Sequence, residues 1–547
     1  MKKLKKIFED YFNEWLYLYP FEASLMGFDI LDKVEKIPVS ISDEFKEKEK
    51  NFYKKYKKIL SEINFENLDE KEKTYIKALK YSCDLSLKEL SFPENLLPIN
   101  HFYSLHLIFP SVSSGLNQNF KKKKDIDNFS KKINYFYDWA EEVIINLEKG
   151  IKEKVLLPKS IVEKILIQLE SLIKTKKEKN PCFACLSLIE KEYNGKDKEK
   201  DQDKIEKEIK NKIIKSCEKI YNFLKEKYQN KCKEEIGYYN LPNGIEWYKA
   251  KILRYTTLNL NPEEILEFGF KELKKLKAEK IILNEERNEK IEYIKFLMKY
   301  KEKIKEKLKK HFESYPKRDF KILPVEKYKE KTFSLGEYFP GGIEEESKSI
   351  FYLNSKLAKE KNLNEILSIF FHEAIPGHHL QISLQRENKK LPSFLRYHIF
   401  EIFVEGWALY SESLPLEIGL VKDKNYKSAV LKNQIWRTLR LILDTGIHTG
   451  KLSKEEAINM LIKEGNFKNR EAEIEILRYA VFPGQALTYK IGEKTFLNLK
   501  EKVKKSLREN FNLKEFHKIL LEDGSLPLNL LKEKVNSWIT KQKSSFL

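Results

Sequence analysis

The sequence predicts a mainly α-helical protein: one large multi-helix body, in two lobes around a cleft, with a small β-sheet near residues 318–355. Three observations carry this. Glycine (19) and proline (17) are scarce among 547 residues, so there is little to interrupt long helices. Leu, Ile, Lys and Glu are abundant, and apolar residues recur at helical spacing through most of the chain. The texture changes near residue 315: residues 315–355 carry Pro316, Pro324, Pro340, Gly341 and Gly342 before a β-type run at 349–354.

Taken in order, residues 1 to about 190 read as amphipathic helices, including 8–18 and 71–90. An apolar, aromatic stretch at 97–110 carries His101 and His106. Residues 192–213 are strongly charged and read as an exposed loop running into a surface helix. Asn261 followed by Pro262 is a helix start, with Asn261 as N-cap, and a Lys/Glu-rich helix then runs to about Glu313. After the sheet region, helices are expected at 363–375, with Asn364 able to cap, and at 394–414, 426–449 and 453–463. The length permits two to four domains, but no repeat or linker divides the chain. We expect a single domain over 1–547, with an N-terminal helical lobe at 1–315 and a second lobe at 316–547.

The formal charge of +20 invites comparison with nucleic-acid and membrane-surface binders. Lys and Glu interleave throughout, however, as solvated helix faces do, and no nucleic-acid-binding motif is present. No stretch reaches the ~18 apolar residues of a membrane span. The basic start MKKLKKIFEDYFNEW lacks the apolar region of a signal peptide, and five thinly spread cysteines suit a reducing compartment. The expectation is a cytoplasmic protein with neither nucleic acid nor membrane as partner. Cys182 and Cys185 read as buried structural thiols.

The chemistry concentrates in one place. Three of the nine histidines fall in HEAIPGHHLQ, residues 372–381. A His-Glu pair at the end of a buried helix is the start of a zinc site of the H-E-x-x-H kind, in which the Glu is the general base. Here position i+4 is Pro376, which cannot ligate. Proline removes an N–H and clashes with the carbonyl four residues back, so the helix must break just after His372, and Gly377 eases the break. That break can return His378 to the metal. His378 is preferred to His379 because it directly follows the break and adjacent side chains diverge by about 100°. His379 is then a pocket residue. An open zinc site needs a third protein ligand. The apolar helix at 396–412 offers Glu401, Glu405 and Glu412 near one face.

Farther on, RLILDTGIHTG (440–450) and RYAVFPGQALTYKIG (478–492) supply Tyr479, Tyr489 and His448 as candidate oxyanion donors. They also supply Arg478 as a candidate for orienting a substrate carboxylate. The strand 350–354, with Tyr352 and Asn354, could hold a peptide by edge pairing.

Together with VEGWALYSE (404–412), these motifs resemble the bacterial family catalogued as domain of unknown function 885. Residues 244–265 and 511–531 match it more weakly, so the resemblance covers most of the chain. That family is similar to helical zinc peptidases such as angiotensin-converting enzyme and the Taq-type carboxypeptidases, which place a ligand Glu some two dozen residues after the second His. The gap of 27 from His378 to Glu405 fits. The resemblance therefore implies Zn2+ held by His372, His378 and Glu405, with Glu373 as general base toward the attacking water. It implies short peptides as substrates, cleaved in a cleft between helical lobes. The alternatives are a zinc hydrolase of non-peptide amides or esters, and a catalytically idle helical protein with a structural zinc. Intact Glu373 argues against the second, since a structural zinc needs no base.

Overall fold

The structure is a computed structural model that describes residues 2–279, 292–325, 330, 334–343 and 349–545. Helices dominate it, and the described strands form one three-stranded sheet. The elements used below are α1 (Lys2–Leu18), α2 (Glu70–Glu89), α3 (Gly244–Thr256), α4 (Pro262–Lys277) and α5 (Tyr293–Lys309). Next come β1 (Phe320–Pro324), β2 (Gly336–Phe339), β3 (Ser349–Leu353), α6 (Leu363–Glu373) and α7 (His378–Glu387). Then follow α8 (Glu401–Glu417), α9 (Lys424–His448), α10 (Asn469–Val481), α11 (Thr488–Leu507) and α12 (Leu513–Leu521).

Local chemistry sets several helix ends. Asn261 accepts from the Glu263 N–H, with Pro262 in the first turn of α4. Residues 280–291, inside the long helix expected to reach Glu313, lie outside the described residues, and α5 ends at Lys309. The N-cap of α6 is Asn362, not Asn364: Asn362 and Glu365 form a reciprocal capping box, and Asn364 instead donates to Asp423. The helix expected at 394–414 is split. Residues Ser393–Tyr397 form a short turn, and α8 starts at Glu401. The backbone groups freed between them are met from outside: Gln385 donates to the Leu395 and His398 carbonyls, and Ser525 Oγ accepts from the Phe400 N–H. The charged segment 192–213 is more helical and more buried than its composition suggests. Residues Lys198–Glu208 are helical, and Ile205 and Ile209 enter the core.

Three apolar cores organise the chain. The first joins helices from Phe21 to Ile236 with residues 266–276 and 431–486. The second, running from Phe92 to Ile539, holds the sheet, α6, α8 and α11. The third packs α1 and α2 against Phe394 and Leu395. The first core crosses residue 315, because α9 and α10 pack into the N-terminal helices. The sheet order is β1-β3-β2, with β1 parallel and β2 antiparallel to β3. Phe320 and Phe351 turn toward Phe370 of α6, at 6.4 and 6.2 Å between ring centroids, so the sheet is seated on that helix.

Helices α8 and α11 approach closely at Gly406 and Gly492. A Cβ on Gly406 would lie 2.5 Å from Gly492 Cα, and one on Gly492 would lie 2.3 Å from the Ile402 carbonyl oxygen. This crossing sets Glu405, next to Gly406, opposite Tyr489, one turn before Gly492. Gly492→Ala is therefore expected to destabilise the protein by about 1–3 kcal/mol or more, because rigid backbone must move apart. A urea midpoint equal to that of the parent protein would contradict it.

Candidate functional site

Helix α6 ends at Glu373, and α7 begins at His378. The intervening residues fold back tightly: a Cβ on Gly377 would sit 1.9 Å from the His372 carbonyl oxygen and 2.4 Å from that of Phe371. Glycine is required here for space, since its φ of −75° is open to any residue. The Ile375–Pro376 peptide is cis. The Pro376 carbonyl accepts from Trp407 Nε1 at 2.9 Å, which ties the break to α8.

The break brings His378 back beside His372, with ring centroids 4.8 Å apart and planes at 86°. Ligand-type atoms of His372, Glu373 and His378 all lie within 4.8 Å of one another. Glu405 completes the cluster. Its Oε2 is 3.6 Å from His372 Nε2 and 3.5 Å from His378 Nε2. That oxygen is buried and accepts no hydrogen bond. Two donors on one tetrahedral zinc, each at ~2.0–2.1 Å, stand roughly 3.3–3.5 Å apart, so the spacing is that of co-ligands.

Glu412, two turns along α8, holds the other side of His372. Its Oε1 is 2.9 Å from His372 Nδ1, while its Oε2 accepts from Ser368 at 3.0 Å and Asn433 at 2.7 Å. A carboxylate on Nδ1 fixes the ring orientation and leaves Nε2 facing the cluster. Burial would lower the His372 pKa, but Glu405 and Glu412 override it and hold the ring up at about 10. Burial would likewise raise Glu405, yet the two histidines pull it well below the carboxylate range. Three carboxylates, Glu412 fully buried and Glu373 and Glu405 partly so, thus meet two imidazoles, an arrangement that favours added positive charge. Glu373 points to the same space. Burial raises its pKa, and its Oε2 accepts from the Tyr338 N–H at 2.9 Å.

The remaining predicted residues divide. Tyr489 stands beside the cluster, its ring stacked on His372 at 6.3 Å. Arg478 Nη2 donates to the Tyr489 hydroxyl at 3.4 Å and to Gln485 at 3.0 Å, which leaves the Tyr489 proton to donate. Tyr479 is not in the cluster's first ring of contacts: its hydroxyl donates to Glu475 at 2.9 Å and accepts from Arg440. His448 is a buried structural residue, contrary to its expected role. Its Nε2–H donates to the Tyr479 carbonyl and its Nδ1 accepts from the Tyr238 N–H, so neither nitrogen is left for an oxyanion. His379 is turned away from the cluster, between the Tyr338 hydroxyl at Nδ1 and the Arg318 carbonyl at Nε2. Asn354 caps the following turn through its side-chain oxygen and donates to the Glu330 carbonyl, so it is structural. Tyr352 lies against Phe339. Strand β3 is central and paired on both sides, so edge pairing on 350–354 is excluded; among the described residues the edge strand beside the cluster is β2, whose Tyr338 N–H is met by Glu373.

Sequence reasoning passed over Tyr338, Asn433 and Arg437. Glu412 was visible as a buried acid on an apolar helix, but its partner was not.

The buried histidines carry a pH dependence. Burial holds His448 neutral, with its pKa pushed down to about 4, and His517 at about 3; both rings donate to a carbonyl and accept at the other nitrogen. Their folded-state pKa values lie below the unfolded value of ~6.5. The stability they contribute is full above pH ~6.5 and lost as pH falls toward 4. The loss by pH 4.5 should be on the order of 2–3 kcal/mol for each. Denaturation curves at pH 7 and 4.5 check this, and equal midpoints would refute it.

The sequence model described as "Bacterial protein of unknown function (DUF885)" matches residues 20–535. The chain belongs to this family. Among the solved structures that resemble it are two putative lipoproteins. One, a "putative lipoprotein" from Colwellia psychrerythraea, is 19% identical with a TM-score of 0.89, covering 98% of this chain and 99% of that one. The other, a "putative lipoprotein of unknown function" from Shewanella oneidensis, is 16% identical with a TM-score of 0.68, covering 97% and 99%. At such identities the likeness shows the family fold alone. No curated protein matches the chain.

Proposed function

We propose that this family member is a zinc-dependent hydrolase cleaving amide bonds of short peptides. The observation that carries the reading is Glu405 Oε2, a buried carboxylate oxygen without a hydrogen-bond donor, set at co-ligand spacing from two imidazole nitrogens. His372, His378 and Glu405 would hold the ion, with Glu412 orienting His372 through Nδ1. When bound, zinc supplies Lewis acidity toward a carbonyl oxygen and a water.

Glu373 then takes the proton of the attacking water and delivers it to the leaving nitrogen; its raised pKa suits both halves of that transfer. Tyr489, with its proton free, is the proposed donor to the developing oxyanion, ahead of Tyr479 and His448. Peptides are favoured over other amides and esters by β2. Its Tyr338 N–H now donates to Glu373, and an extended chain that takes over this edge would add as a further strand. Arg478, 18% exposed beside Tyr489, is the proposed partner of a substrate carboxylate.

No described helix is long and apolar enough to cross a membrane. The proposed compartment is the cytoplasm, on the strength of five free thiols. The lipoprotein names of the two structural neighbours point the other way, and cell fractionation decides between them. The function is tested by metal analysis of protein purified without chelator, then by incubation with a mixed peptide library read by mass spectrometry. About one zinc per chain and chelator-sensitive cleavage are expected. Metal-free protein that reloads no zinc, or loaded protein that cuts no peptide, would defeat the reading.

A further inference from the structure

The aromatic stretch at 97–110 holds two adjacent rings in the open. Phe102 is 46% exposed and Tyr103 61%, yet the backbone that carries them is firmly tied. The Asn100 side-chain oxygen accepts from the Phe102 and Tyr103 N–H groups at 2.9 and 2.7 Å, and the Ser104 hydroxyl accepts from the Asn100 N–H at 2.9 Å. The His101 carbonyl accepts from Gln168 at 2.8 Å. An Asx turn of this kind fixes the residues that follow it. Phe102 is therefore exposed because the turn holds it there.

The Phe102 ring faces a side wall of the candidate centre. It lies 5.5 Å from the half-buried ring of Phe482, at an interplanar angle of 79°, and 5.2 Å from the Arg478 guanidinium carbon. Arg478 Nη2 donates to the Tyr489 hydroxyl, and the Tyr489 ring stacks on His372. The contacts thus run in one unbroken series from His372 through Tyr489 and Arg478 to Phe102. The Phe482 end is fixed as well: two residues on, the Gly484 N–H donates to both oxygens of Asp444, at 3.0 and 3.1 Å. Arg478 keeps charge to spare at this corner. Its carboxylate neighbour, Glu475, is 3.8 Å away and is shared with Arg440, which it meets at 3.1 Å. Single exposed aromatics are ordinary on protein surfaces. Two rings meeting beside an under-paired guanidinium make a corner for one kind of ligand, an aromatic or large apolar group next to a carboxylate. The rings shed water on the first, and the guanidinium pairs with the second.

We propose that Phe102 and Phe482 wall a subsite for an aromatic or large apolar side chain at the C-terminal residue of a peptide whose carboxylate Arg478 takes. A small terminal residue would leave both rings wet and gain only the ion pair. The preference is then set by a turn far in sequence from the metal-binding motifs. Its role as a substrate subsite rests on the hydrolase reading proposed above; its capacity to bind such a ligand does not.

Binding is measured first, by titration calorimetry on the full chain as purified, with probes that contain no peptide bond: 3-phenylpropionate, propionate and 3-phenylpropanol. 3-Phenylpropionate is expected to bind roughly 10–100-fold more tightly than propionate, the worth of burying one aromatic side chain. Phe102→Ala should remove most of that preference, and Phe102→Leu, which keeps an apolar contact, should retain part of it. Arg478→Met should remove most of the preference for 3-phenylpropionate over the alcohol. Equal affinities for 3-phenylpropionate and propionate overturn the proposal. So does a preference that neither Phe102 variant changes, which would place the probe elsewhere, as on a bound metal. Cleavage is measured second, on peptides that differ only in ending in Phe or Ala. Phe102→Ala is expected to raise KM for the Phe-ended peptide, with kcat little changed and the Ala-ended peptide unaffected. Probe binding as expected without cleavage of any peptide keeps the site and defeats the hydrolase reading. Cleavage blind to the terminal side chain, in parent and variant alike, keeps that reading and defeats the site.

Discussion

Glu373→Gln is expected to lower turnover of a cleaved peptide by ~10²–10⁴-fold while leaving fold and zinc content unchanged. Gln is nearly isosteric, and its amide oxygen can still accept from the Tyr338 N–H, now 2.9 Å from Glu373 Oε2. The ligand positions at His372, His378 and Glu405 are untouched. Only proton acceptance is lost. The size of the effect follows from the environment: the carboxyl group stands beside two imidazoles and a second carboxylate, and no other described carboxylate is within the same cluster to take the proton without also being a ligand. Steady-state kinetics on the best library peptide, with metal content and a melt measured on the same preparation, checks it. Near-normal turnover in a variant that folds and binds metal would show that Glu373 is not the base. The same variant separates a catalytic site from a structural one, since an idle zinc has no rate to lose.

His378→Ala is expected to abolish zinc binding, and His379→Ala to leave most of it. The two histidines are adjacent in sequence and opposite in circumstance. His378 Nε2 stands 3.5 Å from Glu405 Oε2 beside the His372 ring. His379 has both nitrogens engaged, by Tyr338 and Arg318, and its ring lies 4.5 Å from that of Phe320. Its replacement should instead cost stability, about 1–3 kcal/mol, by stranding a buried hydroxyl and a carbonyl. Elemental analysis after dialysis, paired with denaturation curves, distinguishes the two variants. Zinc retained in His378→Ala and lost in His379→Ala would reverse the assignment.

Much of this protein is legible in its sequence, for local reasons. Sparse glycine and proline with apolar residues at helical spacing specify a helical body, because helix formation depends on neighbours three and four residues away. Pro376 and Gly377 announce a break after His372 for equally local reasons: a missing N–H, a ring clash and a missing Cβ. The concentration of three histidines and a glutamate within eight residues marks the candidate centre before any coordinates.

What tertiary structure alone decides is which distant groups meet, because that depends on helix crossings many residues apart. Glu401, Glu405 and Glu412 are equivalent by periodicity. The contact of Gly406 with Gly492 and the tie from Trp407 to Pro376 turn Glu405 toward both imidazoles and Glu412 onto Nδ1. Strand order is equally beyond local reading: 350–354 has the stronger β pattern, and that very strength places β3 at the centre of the sheet, leaving the shorter β2 as the edge beside Glu373. His448 and Tyr479 looked like donors because their residue types are right. Packing gives the His448 ring nitrogens to the Tyr238 N–H and the Tyr479 carbonyl, and the Tyr479 hydroxyl to Glu475 and Arg440, since a buried polar group takes whichever partner the fold brings within reach.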